Sequence, residues 1–278
     1  MPFDEVRPLL ASDVVVGNLE TPVIEDLPEK SPIGAQYRFG GSLQMVRDYL
    51  EAGHPIEQLY GVESWWATLP DSIRERAGVV LVSQAELEAL SALSAPQGAL
   101  AVVPQAEREL DPGKLCDGLS LGLDGVRDPG NLGSLLRVAA WFGVPSGICS
   151  PDCVDPYNPK VVQATMGALL HVEVHGTSLP PLLDAMARRG AAVYGAVLDG
   201  ESIYGADLGA RGIILLGNEA RGLSPDVRRF VEHPITIPAW TAASPGKDSL
   251  NVAVAAAVVC SEFRRRERPQ WDARRLRA

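Results

Sequence analysis

The chain is 278 residues long, 46% hydrophobic and 22% charged, with a formal net charge of −10. This is an ordinary globular composition, sufficient for one or two hydrophobic cores, and the length suggests about two domains. No apolar run reaches the roughly 18 residues a membrane helix needs, and the negative overall field disfavours phosphate unless basic residues are gathered locally. They are gathered toward the end: residues 1–123 hold 8 basic and 19 acidic residues, residues 124–261 hold 10 and 13, and from Glu262 onward 7 arginines face 3 acids. The opening MPFDEVRPLL has no basic segment leading into an apolar one, so no secretory leader is expected. Four irregularly spaced cysteines fit a reducing, cytoplasmic setting.

Residues 1–40 are rich in proline and acids and read as an irregular extension, strand-like only at 13–18. From 41 to 104 the pattern becomes a small α/β domain. Helical spacing covers 43–52, a short strand 56–60, a helix 66–77 and a buried strand 79–82. A helix over 84–93 follows, capped by Ser83 with Glu86 at capping-box spacing, and then a strand over 98–103. Residues 105–118, with Pro112 and Gly113, read as a linker. Residues 119–268 alternate strands (120–123, 147–149, 171–174, 192–197, 213–216, 235–237) with helices (132–141, 159–169, 179–189, 225–230, 250–266), and 269–278 form a basic tail. Strands that are apolar throughout indicate a parallel sheet covered on both faces.

The most informative stretch is LDGVRDPGNLGSLLRVAAWFG, residues 123–143. An apolar strand ends at Asp124, a turn follows through Asp128, Pro129, Gly130, Asn131 and Gly133, and a helix then carries Arg137. A glycine-rich strand-to-helix turn suggests phosphate at a helix N-terminus. However, the segment lacks the third glycine of the dinucleotide fingerprint and the Gly-Lys-Ser/Thr ending of a P-loop.

Two later segments accompany Asn131-x-Gly133-x-x-x-Arg137. They are LLGNEARGLS (residues 215–224), a strand entering a Gly-Asn-Glu turn, and SLNVAVAAA (residues 249–257), an alanine-rich helix entered through a polar turn. In this order the three resemble the SpoU (TrmH-like) RNA ribose 2′-O-methyltransferases of the SPOUT superfamily. DPYNPKVVQATMGALLHVEV (155–174) is similar to the family's middle region, and Gln97–Ala101 to the end of the ribosomal-protein-like domain many members carry. The resemblance spans about residues 41–268. It implies an α/β fold in which a C-terminal, trefoil-knotted parallel-sheet AdoMet domain follows a small N-terminal α/β RNA-binding domain. Such a knot is a rare exception to the rule that chains do not thread loops. It also implies a homodimer, S-adenosyl-L-methionine as cofactor and no metal.

On this resemblance the backbone around Leu216, Gly217, Asn218 and Glu219, around Ile237 and Pro238, and around Leu250, Asn251 and Ala253 cradles AdoMet. The local chemistry agrees: Gly217 permits close backbone approach at the carboxyl end of a buried strand, Pro238 fixes a strand exit, and Ser249 is a suitable N-cap for the following helix. The catalytic set is Asn131, Arg137, Glu219, Ser249 and Asn251. A guanidinium remains protonated up to about pH 12 and is a poor resting base. Arg137 is therefore expected to bind the adjacent phosphate and stabilise the developing alkoxide. Asn131 orients Arg137 or the ribose, Glu219 holds the turn or the arginine, and Ser249 and Asn251 order the wall.

Two departures from the family stand out. The loop AWTAASPGKD before Ser249 is longer than usual, with Trp240 expected to cover a core edge in preference to closing over AdoMet, and the small domain offers only Arg38 and Arg47 to RNA at its opening. RNA affinity then rests on Arg127, Arg137, Lys160, Arg221 and the tail arginines, the latter equally readable as a solvated helix end. Ribosomal RNA is the favoured substrate, transfer RNA the alternative, and a non-catalytic RNA- or ribosome-binding protein the rival from another class.

Other signals are weaker. LLASDVVVGNLETP resembles the opening motif of capsule-synthesis-type metallophosphoesterases, but the four histidines supply no matching ligand set. Cys149 and Cys153, like His171 and His175, have zinc-like spacing. On strands their side chains are expected to diverge, the histidines by about 13 Å.

Overall fold

The structure is a computed structural model that describes residues 36–39, 56–75, 78–91, 98–104, 109–240 and 249–267. The expected strand at 13–18, helix at 43–52 and basic tail at 269–278 lie outside the described residues, as do positions 241–248 of the long loop. The described residues fall into two compact units. The first is formed by segments up to Arg108 together with Asp155–Leu170, the second by Glu109–Val154 and the chain from His171 onward.

The first unit is a four-stranded sheet in the order β1-β4-β2-β3. Its strands are β1 (Gln36–Phe39), β2 (Gln58–Gly61), β3 (Val79–Leu81) and β4 (Ala99–Pro104). β1 falls within the stretch read from sequence as irregular. Period-2 alternation sorts its central residues: Leu59, Ala99, Ala101 and Val103 face a cluster with Trp65 and Leu69, while Tyr60, Leu100 and Val102 face Val82, Leu87 and Leu90. Between β2 and β3 the sequence predicts one helix over 66–77; the chain forms two single turns, α1 (Glu63–Trp66) and α2 (Asp71–Arg74). Pro70 accounts for the break, since it lacks an amide hydrogen and biases Leu69 away from helical angles. α3 (Gln84–Leu90) has the expected capping box, with the Glu86 amide donating to Ser83 Oγ and the Ser83 amide to the Glu86 carboxylate. Val162 of α6 (Pro159–Thr165) joins the Leu59 cluster, which ties the segment after Val154 to this unit.

The second unit opens with α4 (Pro112–Leu115), a turn inside the expected linker, capped by Asp111. Its sheet has six strands, all parallel, in the order β10-β8-β9-β5-β6-β7. They are β5 (Leu119–Asp124), β6 (Ser146–Cys149), β7 (Glu173–Gly176), β8 (Val193–Ser202), β9 (Gly212–Gly217) and β10 (His233–Thr236). β5 and β9 pair along their whole length although about 90 residues separate them, Leu119 opposite Gly212 and Asp124 opposite Gly217. Every β5 residue is buried, Ser120 and the terminal Asp124 as well as the leucines, as expected of a central strand covered on both faces.

One face of this sheet, carrying Ile148, Val193, Ile213 and Leu215, packs on α4, α7 (Leu179–Ala187) and α8 (Pro225–Arg228) through Leu115, Leu182, Leu183, Met186 and Val227. The other face meets α5 (Pro129–Trp141) and α9 (Val252–Glu267). Leu136 of α5 lies over Gly147, where an added Cβ would sit 3.2 Å from its side chain.

Candidate active site

The site forms where β5 and β9 end side by side. β5 stops at Asp124, and Gly125 turns the chain with φ +68°; a side chain there would press within 2.9 Å of Asp152. Asp128 then caps α5, its Oδ1 accepting the Asn131 amide at 2.7 Å, with Pro129 pre-set at the first helical position. This opening places Asn131 one turn into the helix with its side chain free to bond elsewhere.

β9 ends at Gly217 and the chain folds tightly back on itself. Asn218 and Gly222 exchange both backbone hydrogen bonds, at 3.0 and 2.8 Å. A Cβ at position 217 would collide with the Gly222 and Leu223 backbone. The sequence reading assigned the small size of Gly217 to approach of a ligand; the close approach is by its own loop. Asn218 holds the fold from within: its Oδ1 accepts the amides of Ala220 and Arg221, and its Nδ2 donates to the Gly125 carbonyl at 2.8 Å. Glu219 is thereby presented toward α5.

The third strand of the site comes from the start of α9. Asn251, rather than Ser249, caps this helix: its Oδ1 accepts the amides of Ala253 (2.9 Å) and Val254 (3.3 Å), while Ser249 is exposed two residues before it. That cap fixes the orientation of two further side chains. With its oxygen committed to the helix, Asn251 turns its Nδ2 to Asn131 Oδ1 at 2.8 Å. Asn131 in turn points its own Nδ2 at Glu219 Oε1 at 2.7 Å. Glu219 Oε2 takes a longer bond of 3.3 Å from Asn218. Residues 120 positions apart are thus joined in a chain of amides running donor to acceptor into one carboxylate.

Arg137 stands apart from this chain. It is exposed, and among the described residues no hydrogen bond or ion pair engages its guanidinium.

The geometry invites comparison with known proteins. Residues 118–261 match the SpoU rRNA Methylase family model. The chain belongs to this family. A 23S rRNA (guanosine-2′-O-)-methyltransferase RlmB of Coxiella burnetii is 33% identical over 202 residues, 69% of this chain and 78% of that protein. A TrmH-family protein of Porphyromonas gingivalis superposes with a TM-score of 0.72 at 36% identity, over 83% of this chain and 90% of its own. The AdoMet complex of AviRb from Streptomyces viridochromogenes has a TM-score of 0.70, covering 84% and 92%; at 24% identity it speaks to the fold alone. Several curated relatives are matched over only about half their length.

The remaining expected residues of this SpoU protein are placed unevenly. Leu216 is buried at the end of β9, Ile237 is half-buried just past β10, Pro238 and Leu250 are exposed, and Ala253 is buried in the first turn of α9. Trp240 is fully exposed and covers no core edge, contrary to expectation. Among the arginines expected to meet RNA, Arg127 faces Asp152 at 3.8 Å, with both side chains more than half exposed, and Arg221 is exposed on the Glu219 loop. Lys160 is exposed on α6, in the other unit.

The arginines at the end of α9 are occupied. Arg264 donates to the carbonyls of Phe142 (2.6 Å) and Gly143 (2.7 Å), and Arg266 to those of Ile203 and Ala206. Arg265 and Arg266 also hold the buried carboxylate of Glu262, with the Arg265 bond as the main cause lowering its pKa to about 2. These three arginines are fastenings rather than free cations.

The cysteine expectation is corrected as well. Cys153 lies beyond β6, in a turn closed by its own amide on the Ser150 carbonyl, and its thiol meets that of Cys149 instead of diverging from it. That contact, with further bonds from Ser150 and the Val126 amide, lowers the Cys153 pKa to about 6 against the opposing effect of burial. Among the described residues, no group of three or more His, Cys, Asp or Glu is placed to hold a metal.

In the sequence Asp124 marks only the end of a strand, with no role in the site. The available signal was an acid closing an otherwise apolar strand immediately before the motif turn.

Proposed function

We propose that this SpoU protein transfers a methyl group from AdoMet to a ribose 2′-hydroxyl of RNA, with ribosomal RNA ahead of transfer RNA. The observation that carries the reading is the amide chain Asn251–Asn131–Glu219, which draws all three sequence motifs into one polar site and leaves Arg137 unengaged. The donor set suits the cofactor. The site offers neutral amides and one carboxylate, an environment compatible with a sulfonium cation, and half-buried Ile237 and exposed Leu250 offer apolar surface for an adenine ring. When bound, AdoMet supplies an electrophilic methyl carbon. The loops 216–219, 237–238 and 250–253 are its proposed holders.

The protein's own residues then act on the RNA. Methyl transfer requires the ribose oxygen to lie in line with the methyl group, so positioning supplies much of the acceleration. Arg137 binds the phosphate beside the target ribose and stabilises the alkoxide as the hydroxyl loses its proton. Asn131 orients the ribose, and its own orientation is locked from both sides. Glu219 anchors Asn131, while Asn251 and Ser249 form the wall. Arg127, Arg221 and Lys160 contribute further phosphate contacts.

The reading extends to the architecture. The second unit is proposed to be the methyltransferase domain, with a trefoil knot in its carboxyl-terminal part. The first unit is proposed to be the RNA-binding domain, and two chains to form a cytoplasmic homodimer. The test is methylation of ribosomal and transfer RNA with radiolabelled AdoMet, followed by mapping of 2′-O-methyl positions. Incorporation that depends on Arg137 supports the reading. AdoMet binding without incorporation into any RNA overturns it in favour of a non-catalytic RNA-binding role.

A further inference from the structure

Asp124 takes no part in the chemistry proposed above, yet its placement is costly. The residue is buried, at 6% relative exposure, at the end of a strand whose other residues are all apolar or small. Parity along β5 and its in-register pairing with β9 put Asp124 on the same sheet face as Gly122, Ile213 and Leu215, the face filled by Leu223 and Val227. The amide chain from Asn131 belongs to α5 on the opposite face. A carboxylate in such surroundings is unfavourable unless it is strongly hydrogen-bonded. Asp124 has such a bond: its Oδ2 accepts the Ser224 amide at 2.6 Å.

Ser224 is where the Glu219 loop leaves for α8. The loop therefore has two anchors on consecutive residues of the β5 turn: Asn218 at its start, on the Gly125 carbonyl, and Ser224 at its end, on the Asp124 carboxylate. Between them the chain is folded as tightly as Gly217 and Gly222 permit, with Gly222 at φ +69°. Glu219 projects from the middle of this span to Asn131.

We infer that Asp124 is a positioning residue for Glu219: by holding the Ser224 amide from the far side of the sheet, its carboxylate fixes the reach of the loop and hence the geometry of the Asn131 amide. The inference rests on the proposed methyl transfer for its effect on rate, though not for its effect on geometry. The role is that of an acceptor, so it belongs to any side chain placing an oxygen at Oδ2. Asparagine satisfies this and alanine does not.

Two readouts separate the inference from the reaction itself. In the protein without RNA, the Asn131 side-chain amide resonances report whether Glu219 is in place. They are expected to shift in Asp124→Ala toward their position in Glu219→Ala, and to stay near wild type in Asp124→Asn. In RNA methylation assays, Asp124→Ala is expected to lower kcat about 10- to 100-fold, with the KM for RNA within about threefold of wild type and Asp124→Asn restoring most of kcat. An unmoved Asn131 resonance in folded Asp124→Ala overturns the inference whatever the enzyme does. So does a kcat loss that Asp124→Asn fails to restore. Absence of methylation by wild-type protein overturns the function instead, and the resonances still decide the role of Asp124. If Asp124→Ala does not fold, Asp124→Ser and Asp124→Asn are compared in its place, and equal Asn131 resonances in these two, despite the shorter reach of serine, overturn the inference.

Discussion

α5 and α9 run side by side in the same direction, and polar side chains join them at both ends. At the amino ends Asn251 bonds Asn131, and at the carboxyl ends Arg264 bonds the Phe142 and Gly143 carbonyls. The two junctions have opposite consequences. The carboxyl-end junction is closed: a cation satisfies the carbonyls that a helix terminus leaves without partners, and Glu267 takes the remaining face of the guanidinium at 2.5 Å. The amino-end junction passes its last donor onward to Glu219 and leaves Arg137, two turns into α5, without a partner among the described residues. The arginines that end α9 are thus structural, while Arg137 of α5 carries no such fastening among the described residues.

Substitutions can break this contrast. The largest effect is expected from Arg137→Ala, which should lower kcat for RNA methylation by about 10²–10³ while leaving the thermal midpoint close to wild type, as expected for loss of a charge acting in the transition state. Equal rates would remove the functional side of the comparison. Asn251→Asp is more discriminating. An aspartate still caps α9 but cannot donate to Asn131, so kcat should fall about tenfold with helix stability retained. A parallel loss of stability and rate would mean the junction is only a cap.

The carboxyl end should behave in the opposite way. Arg264→Ala is expected to cost about 2 kcal/mol in chemical denaturation, from loss of charge-assisted bonds to two carbonyls, with kcat unchanged. A change in RNA affinity without a change in stability would return Arg264 to the RNA-binding surface.

The smallest effect is expected at Glu262. Its pKa is held down to about 2, from an ordinary value of 4.5, by Arg265 and then Arg266. A carboxylate with a depressed native pKa contributes stability that is fully present above the unfolded value and is lost as pH falls through the folded one. The stability difference between wild type and Glu262→Gln should therefore be constant near neutrality, about 1–2 kcal/mol. It should shrink between about pH 4.5 and about pH 2. A difference independent of pH across that window would show that packing, not charge, fastens the helix end.

Much of the first unit and most strands of the second were legible from the chain. The Ser83–Glu86 capping box, the apolar runs of β5 and β9, and the proline opening α5 act through neighbours a few residues away, and such signals survive in sequence. Pro70 stands in the sequence too, yet apolar spacing alone gives 66–77 as one helix where the chain forms two turns. Asn131, Glu219 and Asn251, one from each motif segment, are linked by hydrogen bonds in the fold. Ser249 and Asn251 are both good capping residues, and only the start of α9 at Val252 selects Asn251.

What the sequence determined by itself was a set of local choices: where strands begin and stop, which turns need glycine, and which polar residues stand at helix entrances. What tertiary structure alone decided was which of those polar groups are spent on the fold and which remain for chemistry. Arg264, Arg265 and Arg266 look as available in the sequence as Arg137, and Gly217 looks as if it makes room for a ligand. The β5–β9 pairing and the parallel course of α5 and α9 bring the Phe142 and Gly143 carbonyls to the first of these arginines and the Gly222 backbone to the glycine. The physical reason is distance along the chain. A hydrogen bond between residues about 100 positions apart depends on strand order, which no periodicity encodes, and a polar side chain is free only when no such distant partner has reached it.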